Sequence, residues 1–161
     1  VSLTGTVKIE GLAQIERTML ALGKPAAMRR IAKKVLLEAA EPIVATASRL
    51  APNDPRTQGM LQISIKAIAE RAKGDSQWVR IGIDSSVDPA VSVARKSGSG
   101  SYRDPGVAGN AVIQEFGTAN MAANPFMRPA WEAEGPATPG RIASRLGQEV
   151  EKMAKRAGIG G

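Results

Sequence analysis

The strongest constraint on this chain is one long amphipathic stretch, from Pro25 to Leu50. Met28, Ile31, Val35, Ala39, Ile43 and Leu50 follow one face at helical spacing, and Ala32, Leu36 and Ala47 widen it. That period predicts a helix with a single buried side. Pro25 suits its first turn, where a missing N–H costs nothing. Arg29, Arg30, Lys33 and Lys34 lie mostly off the apolar stripe. A helix of ~25 residues is about 37 Å long, so this element is expected to be the backbone of the domain. Pro42 falls inside it and is expected to kink or loosen the hydrogen-bond ladder.

The remaining elements are shorter. Val7 and Ile9 alternate with Lys8 and Glu10, which predicts an opening strand within residues 3–10. Leu12, Ile15, Met19 and Leu22 predict a short helix that Gly23 stops. Ala51 to Gly59 is a turn-forming run. Beyond it, Leu61, Ile63, Ile65, Ala67 and Ala69 alternate, as do Val79, Ile81 and Ile83 across the Gly74-Asp75 turn. Two alternating runs around a polar turn predict an antiparallel hairpin with one buried face.

Residues 85–109 hold no sustained period and are rich in glycine, proline and serine, so a long mobile loop is expected there. Val112, Ile113 and Phe116 predict a short apolar element. A second helix is expected from about Phe126–Arg128, with Pro129 in its first turn and Gly135–Gly140 interrupting it. The final helix is expected over about Arg141–Arg156, on the stripe Ile142, Leu146, Val150 and Met153, before a tail at residues 157–161 that frays. The expected class is α+β: a small antiparallel sheet packed against one long helix and a C-terminal helix. Nothing in the 161 residues suggests an internal repeat or a second domain.

Composition narrows the chemistry. With no cysteine and no histidine, disulfides, zinc–thiolate sites, thiol nucleophiles and the imidazole acid/base are excluded. No Walker loop or dinucleotide fingerprint is present. Ser97-Gly98-Ser99-Gly100-Ser101 is glycine-rich, but it follows no strand and opens no helix, so it reads as a linker. Asp84 and Asp88 are the nearest approach to a paired carboxylate, and a hard-cation loop needs more oxygen ligands at tighter spacing. Glu115 stands alone between apolar neighbours. The expectation is a protein without catalytic residues, cofactor or metal.

The formal charge is +7, which fits either a solvated surface or phosphate contact. The cluster Arg29, Arg30, Lys33 and Lys34 lacks the interleaved aromatics of single-strand binders. No helix-turn-helix or basic-zipper pattern surrounds it. It reads as a solvated or interface face, with phosphate contact as the alternative. No apolar run approaches the ~20 residues needed to span a bilayer, and no secretory leader pattern opens the chain. Synthesis in the cytoplasm is therefore expected.

Ala111 to Trp131 is the most informative run: AVIQEFGTANMAANPFMRPAW. It reads as an apolar element, a Gly-Thr turn, an extended linker and a helix. Gly117 can adopt backbone conformations closed to other residues, and Asn124 before Pro125 is biased toward extension. Phe116, Phe126 and Trp131 are three of only five aromatic residues. That concentration fits either a local core staple or a partner-facing anchor.

Glu115-Phe116-Gly117-Thr118, followed by Pro125-Phe126-Met127-Arg128-Pro129-Ala130, resembles a motif of the small neck or tail-completion proteins of long-tailed bacteriophages. That family shows E-F-G-T, a short linker and P-F-L-R-P-A. Val7 to Leu12 resembles the family's opening strand, and Ala39-Ala40-Glu41-Pro42 its long-helix segment. Ala51-Pro52, Thr57, Gly59, Leu61 and Ser64 resemble its A-P…T-G-x-L-x-x-S stretch. The likeness covers nearly the whole chain. It departs from the family at Gln58, which separates Thr57 from Gly59, at Ala111-Val112, and at Gly135–Gly140, where the C-terminal helix is normally continuous.

The resemblance implies a virion structural protein at the head–tail junction. It implies a homo-oligomeric ring, six-fold to match tail symmetry, around the channel through which genomic DNA passes without sequence-specific binding. Stopper and connector proteins are the implied partners on the head side, and the tail terminator or tail tube on the other. A tail terminator or a connector-side adaptor is the alternative station, and a basic DNA-binding protein the alternative class. The motif residues Glu115, Phe116, Gly117, Thr118, Pro125, Phe126, Arg128, Pro129, Ala130 and Trp131 are the implied assembly positions.

Overall fold

A computed structural model describes residues 25–53, 59–71, 76–84, 86 and 106–156. The expected opening strand and first short helix, most of the 85–109 loop and the tail at 157–161 lie outside the described residues. The class is α+β, a two-stranded antiparallel sheet with long helices. Helix α1 spans Pro25–Leu50, as the apolar stripe predicts, and runs through Pro42. The single helical turn α2 is Met60–Ser64, strand β1 Ile65–Ala69 and strand β2 Val79–Ile83. Helix α3 is Gly106–Phe116 and helix α4 Met127–Glu134. A 3-10 turn, Gly135–Ala137, leads into helix α5, Thr138–Arg156.

The chain divides into two compact units. The first comprises Val1–Ala39, Ala69–Val79 and Pro136–Gly161, and the second Ala40–Ile68 and Arg80–Gly135. In the first unit, Ile31, Val35 and Ala39 of α1 and Val150 of α5 are buried. Lys34 Nζ lies 3.1 Å from Glu149 Oε1, and Arg145 Nε lies 3.7 Å from Glu38 Oε2. As α1 advances from residue 34 to 38, its partner on α5 retreats from 149 to 145, so the two helices run antiparallel. Lys34–Glu38 and Lys152–Glu149 complete the seam.

The second unit is built around Ile43, Ala47, Ala51, Leu61, Ile65, Val107, Ala111, Phe126 and Ala130, with Ile81, Ile83 and Met127 packed against them. The sheet therefore packs on the C-terminal half of α1. Asp84 N–H donates to Ser64 O at 2.7 Å and Glu70 N–H to Trp78 O at 2.9 Å. Both bonds keep one register, which places Ala67 opposite Ile81.

Four expectations are corrected. Residues 61–64 are helical, not the start of a strand. Gly59, at φ 74°, opens this turn, Ile63 N–H reaches Gly59 O at 3.3 Å, and Ser64 Oγ donates to Leu61 O at 2.7 Å. Gln62 fixes the turn to the end of α1 by donating to Ala51 O at 3.1 Å, while Ser48 Oγ donates to Gln62 O at 3.0 Å. Alternation of Leu61, Ile63 and Ile65 misled because Ile63 is exposed and only the other two are buried.

The loop assigned to 85–109 ends too late, because Gly106–Gly109 already belong to α3. Burial of Gly106, Val107 and Ala111 offsets the poor intrinsic helix propensity of glycine there. The apolar element read around Val112–Phe116 is accordingly a full helix. Gly135–Gly140 does interrupt the helix as expected, but only through the 3-10 turn Gly135–Ala137; α5 starts at Thr138, not about Arg141, so Pro139 and Gly140 already lie in its first turn. Pro139 is tolerated there because first-turn N–H groups have no intrahelical partner. Leu50 lies at the rim of its stripe, 36% exposed.

Candidate functional site

The second unit gathers the Glu115–Trp131 motif into one helix–turn–helix. Glu115 occupies the last turn of α3 and is only 9% exposed. Its Oε2 accepts hydrogen bonds from the backbone N–H groups of Phe126 and Met127, each at 2.9 Å, and its Oε1 accepts from Arg128 N–H at 3.1 Å. These are the first amides of α4, which no side chain of its own N-cap satisfies. A helix starts with orphaned donors and positive potential, so a buried carboxylate placed there is both paired and stabilised. The reading of Glu115 as standing alone is thereby corrected: its partners are backbone groups eleven to thirteen residues downstream.

The intervening residues make that return possible. Gly117 N–H donates to Ile113 O at 2.8 Å while its φ of 73° turns the chain out of α3. This is the left-handed helix stop that glycine provides without strain. A Cβ on Gly117 would lie 2.8 Å from both Ala123 N and Met121 O, so the backbone passes where a side chain would sit. Thr118 and Met121 exchange backbone bonds at 2.9 and 3.3 Å, and Thr118 Oγ1 accepts from Asn120 N–H at 3.3 Å. Asn124 N–H then donates to Gln114 O at 2.7 Å. The linker runs back along α3, and Pro125 delivers Phe126 to the core.

The motif aromatics part company here. Phe126 is the core staple, 1% exposed, and Ala130 is fully buried one turn further on. Phe116 is 68% exposed and Trp131 51%. The three do not form one buried cluster. On α3, Val107, Ala111 and Glu115 form the buried ridge, while Ala108, Val112 and Phe116 form an exposed ridge at the same four-residue spacing. That second ridge is wholly apolar. Arg128 and Thr118 are exposed, and Pro129 lies in the first turn of α4.

Arg29, Arg30, Lys33 and Lys34 belong to the first unit and are all exposed. Lys34 is engaged with Glu38 and Glu149. Glu149 has its pKa lowered, chiefly by the hydrogen bond from Lys152 and then by that from Lys34. In the second unit, Asp84 accepts from Ser86 Oγ at 2.6 Å, Ser86 N–H at 3.0 Å and Lys66 Nζ at 3.0 Å. The Ser86 hydroxyl first, and Lys66 after it, hold the Asp84 carboxyl down at about 2. Asp84 is thus a turn anchor. Among the described residues no group of carboxylates is dense enough to hold a metal ion, and Asp88 lies outside them.

No helix among the described residues is long and apolar enough to cross a membrane. No family model, curated protein or solved structure matches this chain.

Proposed function

We propose that this chain is a non-catalytic structural subunit of a bacteriophage head–tail junction, assembling as a ring that completes the neck or tail. The observation carrying the reading is the exposed apolar ridge of α3, Ala108–Val112–Phe116, together with Trp131 of α4. Contiguous apolar surface on a small water-exposed domain marks contact with another chain, and aromatic anchors dominate such contacts. Phe116 and Trp131 are motif positions that do no work in the core. Glu115, Gly117 and Phe126 hold the helices that present them. A closed ring requires heterologous contacts, in which one patch meets a different patch on the neighbour. Copies of this chain are the first partners, with stopper, connector and tail-terminator surfaces at either end.

Imaging of assembled particles tests the reading directly. The chain is expected as a ring at the neck, and particles made without it are expected to lack joined tails. Complete, infectious particles without the chain would end the proposal. Phe116→Asp is expected to abolish incorporation while leaving the far-UV spectrum of the free subunit unchanged. Normal incorporation of that variant would remove the α3 ridge from the interface.

A further inference from the structure

Charge is divided unequally between the two units. Among the described residues, the first unit holds ten lysines and arginines against four carboxylates, whereas the second holds four against five. The excess is also localised within the first unit. The α1–α5 seam is neutralised where Glu38 and Glu149 face Arg145, Lys34 and Lys152. Toward the start of α1 and the end of α5, the same two ridges continue as Arg30 and Arg156, with Lys152, which is paired with Glu149, at the border. On the two helices themselves no carboxylate continues these ridges, because Glu151 falls off this face of α5. Arg29 and Lys33 flank this end and are exposed, and none of Arg29, Arg30, Lys33 and Arg156 forms an ion pair among the described residues.

We propose that this basic end of the α1–α5 pair, formed by Arg29, Arg30, Lys33, Lys152 and Arg156, is a sequence-independent contact for the phosphate backbone of double-stranded DNA. The cations are spread along the helices, each four-residue step covering about 6 Å. They do not converge on a point, which suits a polymer of phosphates better than one small anion. The face also lacks what a protein partner would need. Of the large exposed hydrophobics among the described residues, only Trp78 belongs to the first unit, and it is on the hairpin rather than on α1 or α5. Protein interfaces are built on apolar anchors and depleted of lysine, whereas phosphate neutralisation is the work of Lys and Arg. Contacts of this kind carry no sequence information and permit sliding. The proposal does not depend on the ring and stands if the chain assembles differently.

Fluorescence anisotropy with a mixed-sequence duplex of about 30 base pairs, titrated with intact protein across about 50–200 mM NaCl, tests it. Two variants remove the face from either helix: Arg29→Gln/Arg30→Gln/Lys33→Gln, and Lys152→Gln/Arg156→Gln. Glutamine keeps helix propensity, so both are expected to fold, as circular dichroism would verify. Arg49→Gln on the second unit is the control. Every cation removed from the phosphate-binding face is expected to reduce the slope of log K against log salt by about 0.9. The triple variant is therefore expected to bind at least about tenfold more weakly at low salt and the double variant several-fold, with the control unchanged. Absence of duplex binding by the unsubstituted protein at low salt would overturn the proposal, as would an equal weakening in the control. Competition by polyglutamate as strong as by DNA, charge for charge, would reassign the face to acidic proteins. Light scattering of the same variants keeps the two proposals apart, since subunit association is expected to be unaffected.

Discussion

The two units hold their helices together by opposite electrostatic means. In the first, α1 and α5 are linked across an exposed seam by the pairs Lys34–Glu149 and Arg145–Glu38, with side chains between 19% and 56% exposed. In the second, α3 and α4 are joined by one buried carboxylate that accepts three backbone amides. Exposed pairs gain little because water already solvates both partners and salt screens them. A buried carboxylate cannot fall back on water, so removing it leaves its donors unsatisfied. The lesson is that charge count misleads: four ionised side chains tie the first pair of helices loosely, and a single one fixes the second.

The largest break in this comparison is expected at Glu115. Glu115→Ala strands three amides at the start of α4 and should lower unfolding free energy by about 3 kcal/mol or more, given about 1–3 kcal/mol per unsatisfied buried group. Glu115→Gln keeps an acceptor but loses the charge, and should cost about half as much. Urea denaturation measures both. Equal, small losses would mean the carboxylate is not what holds α4. Next in size is Gly117→Ala. A residue at φ 73° pays about 1–2 kcal/mol of left-handed strain, and the methyl would meet backbone at 2.8 Å. A loss of about 2 kcal/mol or more is expected, read from the same denaturation curves. An unchanged midpoint would show that the turn opens without cost.

Residue patterns made some of this legible and hid the rest for physical reasons. Helix α1 was readable end to end because its stripe repeats over about seven turns. The buried and exposed faces of α3 were not, because the exposed ridge is the wholly apolar one and the buried ridge carries Glu115, so the apolar period points to the wrong face. Gly106 and Gly109 further disguised its start. In the motif, the turn at Gly117 was foreseeable from the residue type alone. The role of Glu115 was not, since its partners are backbone amides that carry no side-chain signature. Likewise Phe116, Phe126 and Trp131 look equivalent as sequence, and only the fold separates the staple from the two exposed rings. Paired cations and carboxylates at i, i+4 suggest a solvated face but not that Lys34 reaches across to Glu149.

The smallest effect is expected in the first unit's seam, and pH sharpens the contrast. Glu149 is held below the ordinary glutamate range when folded. A carboxyl with a lowered folded pKa contributes stability above its unfolded pKa and loses it as pH falls through the folded value. Stability from Glu149 should therefore be intact at neutral pH and decline only below about pH 4.5. Asp84 follows the same sign, its contribution fading between about 3.8 and about 2. Glu149→Gln should move the urea midpoint at neutral pH by less than either Glu115 or Gly117 substitution, and raising NaCl to about 1 M should shrink that shift further. Glu115 is different in kind: its side chain is buried, so the loss in Glu115→Ala should persist at the same high salt. If both losses vanished together in salt, the buried carboxylate would be behaving as a surface ion, and the division drawn between the two units would fail at its centre.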